Sequence, residues 1–193
     1  LEPDTGNLKR AANLRVVAFS QHRGTLEATE TLRQALCPTG DMVEYRGKLV
    51  HVAGWARRFL FEADQLAMTL DQLSGGEQAR VLIAKLMLDP ADVLLLDEPI
   101  SALDLHYQLR VMKLVRELAA ERGMIALMVL HDLSIAARWS DRILVFAEGR
   151  LVADGPPAQA ITPDILASVY RVAADISGPP DRLHIDLRDI LDD

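Results

Sequence analysis

Two carboxylates stand side by side at Asp97 and Glu98, directly after the apolar run Val93-Leu94-Leu95-Leu96. A run of that length reads as a strand buried on both faces, and Pro99 ends it. The pair therefore falls at a strand's carboxyl end, where open α/β sheets bind ligands. Upstream, Leu73-Ser74-Gly75-Gly76-Glu77-Gln78 sets a hydroxyl and two glycines at a helix start. The free backbone N–H groups there, and the positive end of the helix dipole, favour an anion such as a phosphate. His131 follows a second apolar run, Ile125 to Leu130, and Gln21 lies just past the strand-like Leu14 to Phe19.

The elements that must carry these residues follow from spacing. Thr25 to Leu36 reads as a helix closed by Cys37-Pro38-Thr39-Gly40. Met42 to Tyr45 and Leu49 to Val52 read as a hairpin around Arg46-Gly47-Lys48, followed by a helical piece through Trp55, Phe59 and Leu60. The helix that starts at the glycines continues through Val81, Leu82, Leu86 and Leu88, and Asp89-Pro90 stops it. Leu105, Leu109, Met112, Val115 and Leu118 recur at three- and four-residue spacing, an amphipathic helix that ends at Arg122-Gly123. Asp132 is a good N-cap for the helix bearing Ile135, Ala136 and Trp139. Arg142 to Phe146 and Arg150 to Ala153 make a hairpin. Thr162-Pro163 opens a helix through Leu166 and Tyr170, and from Ser177 the chain is acidic and turn-rich, an edge strand and a frayed end. Strand and helix alternate from Val93 onward, which predicts an α/β fold with a parallel sheet.

Composition bounds the function. The 193 residues are half hydrophobic and carry a formal charge of −7, with 21 basic against 28 acidic side chains. No basic arm stands out, which argues against non-specific nucleic-acid binding. Cys37 is the only cysteine, so an internal disulfide and a multi-cysteine metal site are excluded, and a reducing compartment fits. No apolar run is long enough to span a bilayer, so a membrane role must come through a partner.

Leu73 to Gln78 resembles the signature sequence of ATP-binding-cassette (ABC) ATPases, Val93 to Glu98 their Walker B strand, and Ser101-Ala102-Leu103-Asp104 their D-loop. His131 resembles the switch histidine and Gln21 the Q-loop glutamine. Each motif alone has a plainer reading: a glycine pair in a turn, an acid capping a helix, a structural histidine, a surface-loop glutamine. Their order and spacing together carry the resemblance. It implies a P-loop NTPase fold of the ABC cassette type, a fragment with a mostly parallel sheet flanked by helices and a helical subdomain. The organisation it implies is a remnant of the ATP-binding core at 1–21, the helical subdomain at 22–88, the core with Walker B, D-loop and H-loop at 89–176, and a tail at 177–193.

The same resemblance implies ATP and Mg²⁺ as cofactors. Asp97 would hold the metal, Glu98 would polarise the attacking water, and His131 would contact the γ-phosphate. Gln21 would link the metal and water site to the helical subdomain. Ser74, Gly75, Gly76 and Gln78 would face a nucleotide held by a second cassette in a head-to-tail pair, with Asp104 across the same interface. The pattern GxxxxGK[ST], whose amides and lysine cradle phosphates, occurs nowhere in the chain. The expectation is a truncated cassette that binds ATP poorly and hydrolyses it negligibly alone.

The chain resembles two branches of the family. From Arg15 to Glu98, phrases such as VVAFSQHRGTLEATETLRQAL and HVAGWARRFLF resemble the ABC-F branch, paired cassettes that act on ribosomes. From Ser101, SALDLHYQLRVMKLVRELA and MVLHDLSIAARWSDRILVFAEGRLVADGPP resemble the ATPase subunits that import siderophore iron, haem or cobalamin. Ile100 replaces the Thr or Ser that either branch usually places after Asp97-Glu98-Pro99. The importer reading leads, with membrane permease subunits as partners and a cytoplasmic, peripheral place on the inner face of the membrane. The alternatives are a ribosome-associated ABC-F ATPase and a degenerate, non-hydrolytic cassette.

Overall fold

The computed structural model describes residues 5–19, 26–101, 103–180 and 182–191. Internal contacts divide the chain into two units, Leu1–Val129 and Leu130–Asp193. The first unit runs β1 (Val16–Phe19), α1 (Leu32–Leu36), β2 (Met42–Tyr45), β3 (Lys48–His51), α2 (Val52–Arg58), 3-10 turns at Asp64–Ala67 and Leu70–Gln72, α3 (Gly75–Leu86), β4 (Val93–Asp97), α4 (Leu105–Arg122) and β5 (Ile125–Val129). The second runs α5 (Leu133–Trp139), β6 (Ile143–Ala147), β7 (Arg150–Gly155), α6 (Pro157–Ala160), α7 (Pro163–Tyr170), β8 (Val172–Ser177) and β9 (His184–Ile190).

In the first unit β4 lies between β1 and β5, parallel to both, as the alternation of strand and helix predicts. Register is set at the strand starts, where Asp92 N–H and Val93 N–H donate to the Arg15 carbonyl at 2.9 and 3.1 Å. Leu94 and Leu96 are fully buried on one face, each burial stabilising by about 2 kcal/mol. The opposite face departs from the expectation of a strand buried on both sides. Val93 and Leu95 are half-buried, and Ile125, Leu127 and Val129 beside them are exposed.

The segment before α1 is a second correction. The helix begins at Leu32, where Thr31 closes a capping box with Gln34, and the expected start at Thr25 lies outside the described residues. The residues just upstream are used otherwise: the Glu30 and Ala28 carbonyls accept from Leu70 N–H and Asp71 N–H at 2.9 and 3.2 Å, and Thr31 bridges Thr69. Val52 likewise starts α2 instead of ending β3, with His51 as its cap. Trp55, Phe59 and Phe61 form the centre of this helical region, and the Trp55 indole N–H donates to the Ala84 carbonyl at 3.2 Å, tying α2 to α3.

The second unit packs around Ala137, Ile161, Leu166 and Ala174. Asp132 and Thr162 cap α5 and α7, as their positions predict, accepting from Ile135 N–H at 2.8 Å and Ile165 N–H at 3.3 Å. β6 and β7 form the expected antiparallel hairpin. The tail is more regular than its composition suggests. β8 and β9 make a six- and a seven-residue antiparallel ribbon, and the β8 strand begins before the turn-rich Ser177-Gly178-Pro179-Pro180. Among the described residues no helix is long and apolar enough to cross a membrane.

Candidate functional site

Asp97 is the last residue of β4 and is exposed, while Glu98 beside it is half-buried. Glu98 adopts φ 48°, a left-handed conformation that costs a non-glycine residue about 1 kcal/mol or more. Hydrogen bonds hold it there. Its N–H donates to the Val129 carbonyl at 3.2 Å, and its carbonyl accepts from the Ser101 hydroxyl at 3.0 Å and Ser101 N–H at 3.3 Å. Pro99 and Ile100 are buried directly behind this turn. The strand's end is thus a braced bend that presents two consecutive carboxylates. Among the described residues no three His, Cys, Asp or Glu side chains gather into a metal cage. One or two carboxylates working with substrate phosphates is the usual way Mg²⁺ is held, and this donor set fits it.

The start of α3 is built by a capping box. Ser74 accepts from Glu77 N–H at 3.3 Å, and the Glu77 carboxylate accepts from Ser74 N–H at 2.9 Å and from the Ser74 hydroxyl at 2.8 Å. Glu77 also accepts from the Gln65 amide at 2.8 Å. Burial by itself would raise its pKa, but the bonds from Ser74 and Gln65 and the nearby Arg80 charge outweigh burial and hold it below the ordinary carboxylate value. The Gln78 amide turns back into the loop, donating to the Leu70 and Leu73 carbonyls at 2.9 and 3.1 Å.

The start of α4 repeats this plan. Asp104 caps the helix by accepting from Tyr107 N–H at 3.1 Å. Gln108 donates to the Ile100 and Leu103 carbonyls at 3.2 and 3.0 Å, so each loop is braced by a glutamine four residues past its cap. A cleft of about 350 Å³ is lined by Ser74, Gly75, Gly76 and Glu77 of one helix start and by Leu103, Asp104 and Tyr107 of the other, with Arg80 between. A Cβ added at Gly75 would meet nothing within 4 Å, so packing within the chain does not require a glycine there.

The structure therefore brings Ser74, Gly75, Gly76 and Asp104 to one cleft, and puts Gln78 beneath its loop as a brace. Asp97 and Glu98 occupy the β4 end of the same unit. His131 is exposed, directly before the Asp132 cap, in the second unit. Gln21 and Ala102 lie outside the described residues. Sequence reasoning missed Arg80, Tyr107 and Gln108. The glutamine had a signal, its place four residues after an Asp cap; the other two meet across 27 residues and had none.

Residues 3–101, just over half of the chain, match the family model described as ABC transporter. The chain is 42% identical over 137 residues to the Hemin import ATP-binding protein HmuV of Bordetella avium, covering 67% of this chain and 48% of that protein. It is 48% identical over 98 residues to HmuV of Rhodococcus jostii, covering 51% and 33%. To the Petrobactin import ATP-binding protein FpuC of Bacillus anthracis it is 44% identical over 107 residues, covering 55% and 39%. The chain thus spans about half the length, or less, of these curated relatives. Among solved structures it superposes on an ABC transporter described as metal-chelate type, facing inward, with TM-score 0.70 at 21% identity over 97% of this chain and 76% of that one. It superposes on the ATP-binding cassette MJ0796, a dimer bound to ADP and Pi, with TM-score 0.59 at 23% identity over 77% and 64%. At such identities the likeness speaks for the fold alone, that of an ATP-binding cassette with a parallel sheet flanked by helices. The family match and this fold agree: the chain belongs to the ABC transporter family.

Proposed function

We propose that the chain is the ATP-binding and ATP-hydrolysing part of an ABC importer for an iron-siderophore, haem or cobalamin. The observation that carries the reading is the 42% identity over 137 residues to a hemin import ATP-binding protein. The petrobactin import relative, at 44%, points the same way. In this reading 22–88 is the helical subdomain that receives a permease helix, and 89–176 belongs to the ATP-binding core. The protein sits at the inner face of the membrane through its permease.

ATP and Mg²⁺ are the cofactors of this proposal, and Mg²⁺ would supply charge neutralisation on the transferred phosphoryl group. Asp97 holds the metal. Glu98, fixed by its bend, orients water and accepts its proton. His131 contacts the γ-phosphate, and Gln21 joins the metal site to the helical subdomain. Ser74, Gly75 and Gly76 offer hydroxyl and backbone N–H groups to a nucleotide on a second cassette, and the open space at Gly75 leaves room for that approach. Asp104 lies across the same interface. The 193 residues contain no GxxxxGK[ST] pattern, so they do not themselves provide that phosphate cradle, and alone they hydrolyse ATP negligibly. Tight MgATP binding by the isolated chain would overturn that last point.

The reading is tested by affinity purification from solubilised membranes and by sedimentation of ribosomes, each with and without nucleotide. Copurification with a membrane permease is expected. Cosedimentation with ribosomes would replace the importer reading by the ABC-F one, and association with neither would leave a degenerate cassette.

A further inference from the structure

Arg80 is a charged side chain in a place where charge is costly. It is only 3% exposed, and burial lowers its pKa despite the opposing pull of Tyr107, Glu77 and Asp104. Its guanidinium lies over two rings, with Cζ 4.9 Å from the centroid of Phe61 and 4.3 Å from that of Tyr107. Nη1 donates to the Leu60 carbonyl at 3.2 Å, and Nη2 stands 3.7 Å from the Glu77 carboxylate. Nε is buried with no hydrogen-bond partner among the described residues.

The partners at the two ends of this arrangement are themselves engaged with the caps. Glu77 holds Ser74 by two hydrogen bonds, and Tyr107 gives its N–H to Asp104. A continuous path therefore runs Ser74, Glu77, Arg80, Tyr107, Asp104. We infer that Arg80 is a positioning residue, a buried pin between Glu77 and the Tyr107 ring that makes the Ser74 start of α3 and the Asp104 start of α4 move as one body. A flat cation that stacks on one ring while facing a carboxylate is a task for guanidinium; an ammonium is a point charge and cannot present a face. The use of such coupling rests on the proposed reading, in which both loops face a second cassette. A displacement of one loop by that partner then reaches the other.

Hydrogen exchange on the full chain tests the pin without nucleotide, so its outcome is independent of the importer reading. Tyr107→Leu, at a half-buried site, removes the ring from α4. It is expected to speed exchange of the Glu77 and Gln78 amides on α3 on the order of tenfold, with amides 112–118 in mid-α4 unchanged. Tyr107→Phe keeps the ring but loses the hydroxyl's hydrogen bond with Arg80, so it falls between the parent chain and the Leu variant. Arg80→Lys keeps the charge and Arg80→Met approximates the volume; both speed exchange at 77–78 and at 107–108 alike. The pin is refuted if Tyr107→Leu acts only on its own loop, if Arg80→Lys exchanges like the parent, if Tyr107→Phe is as fast as the Leu variant, or if amides 112–118 accelerate equally.

Discussion

At Ser74 one side chain serves two purposes. Its hydroxyl caps α3 and donates to Glu77, and the same hydroxyl borders the cleft. Ser74→Ala should cost about 1 kcal/mol in urea unfolding, the usual effect of losing a cap. The cost should also depend on pH. Glu77 titrates below its ordinary 4.5 in the folded chain, so its contribution is present above that value and is lost as pH falls through the folded pKa. Ser74 supplies part of that depression. The gap between parent and Ser74→Ala should therefore narrow as the pH is lowered past 4.5, and a gap that widens would contradict the assignment. Ser74 and Gly75 were legible in the sequence because caps and glycines act locally, within three or four residues, whereas Asp104 was picked out by resemblance alone. The left-handed bend at Glu98 was not, since nothing about a glutamate announces positive φ; it is imposed by Val129 and Ser101.

The elements show the same division between local and distant causes. α3, α5 and α7 begin at the Ser, Asp and Thr residues that mark them in the sequence, because capping is a matter of neighbouring atoms. The misread start of α1 also has a local mark, the Thr31 and Gln34 capping box, but the residues before it are held by Leu70 and Asp71, some forty residues away, which no periodicity reveals. Two glycines sort by the same logic. Gly123 ends α4 at φ 64°, where an added Cβ would meet nothing within 4 Å, so Gly123→Ala is opposed by the backbone alone and should cost about 1 kcal/mol. Gly54 sits exposed inside α2 at ordinary helical φ, where a Cβ would make van der Waals contact with Val50 at 3.8 Å. Gly54→Ala should therefore stabilise by about 0.5–1 kcal/mol. Thermal unfolding of the two variants should move in opposite directions; movement in the same direction would show that the backbone argument fails at one of them.

For the molecule as a whole, the most consequential pairing joins residues 77 apart. Asp92 accepts from Arg15 N–H and from the Arg15 guanidinium, at 2.8 Å to Nη2 and 3.2 Å to Nε, while Asp92 N–H returns a bond to the Arg15 carbonyl. The Asp92 carbonyl also accepts from Ile125 N–H at 3.0 Å, so one residue fixes the start of all three strands of the parallel sheet. The side-chain hydrogen bond from Arg15 depresses the Asp92 pKa from 3.8 to about 2. A depressed carboxylate stabilises above its unfolded value and loses that contribution as pH falls toward its folded one, here between about 3.8 and about 2. The two tryptophans allow the effect to be localised, since Trp55 lies in the first unit and Trp139 in the second. The Trp139 indole N–H is buried with no partner among the described residues, so Trp139→Phe is a mild change that leaves Trp55 as the sole reporter. In that background Asp92→Asn should lower first-unit stability at neutral pH, and the difference from the Asp92 chain should vanish as the pH is taken down toward 2. If the two chains keep a constant gap in Trp55 fluorescence across that range, the Arg15 clasp does not carry the charge-dependent stability that its geometry implies.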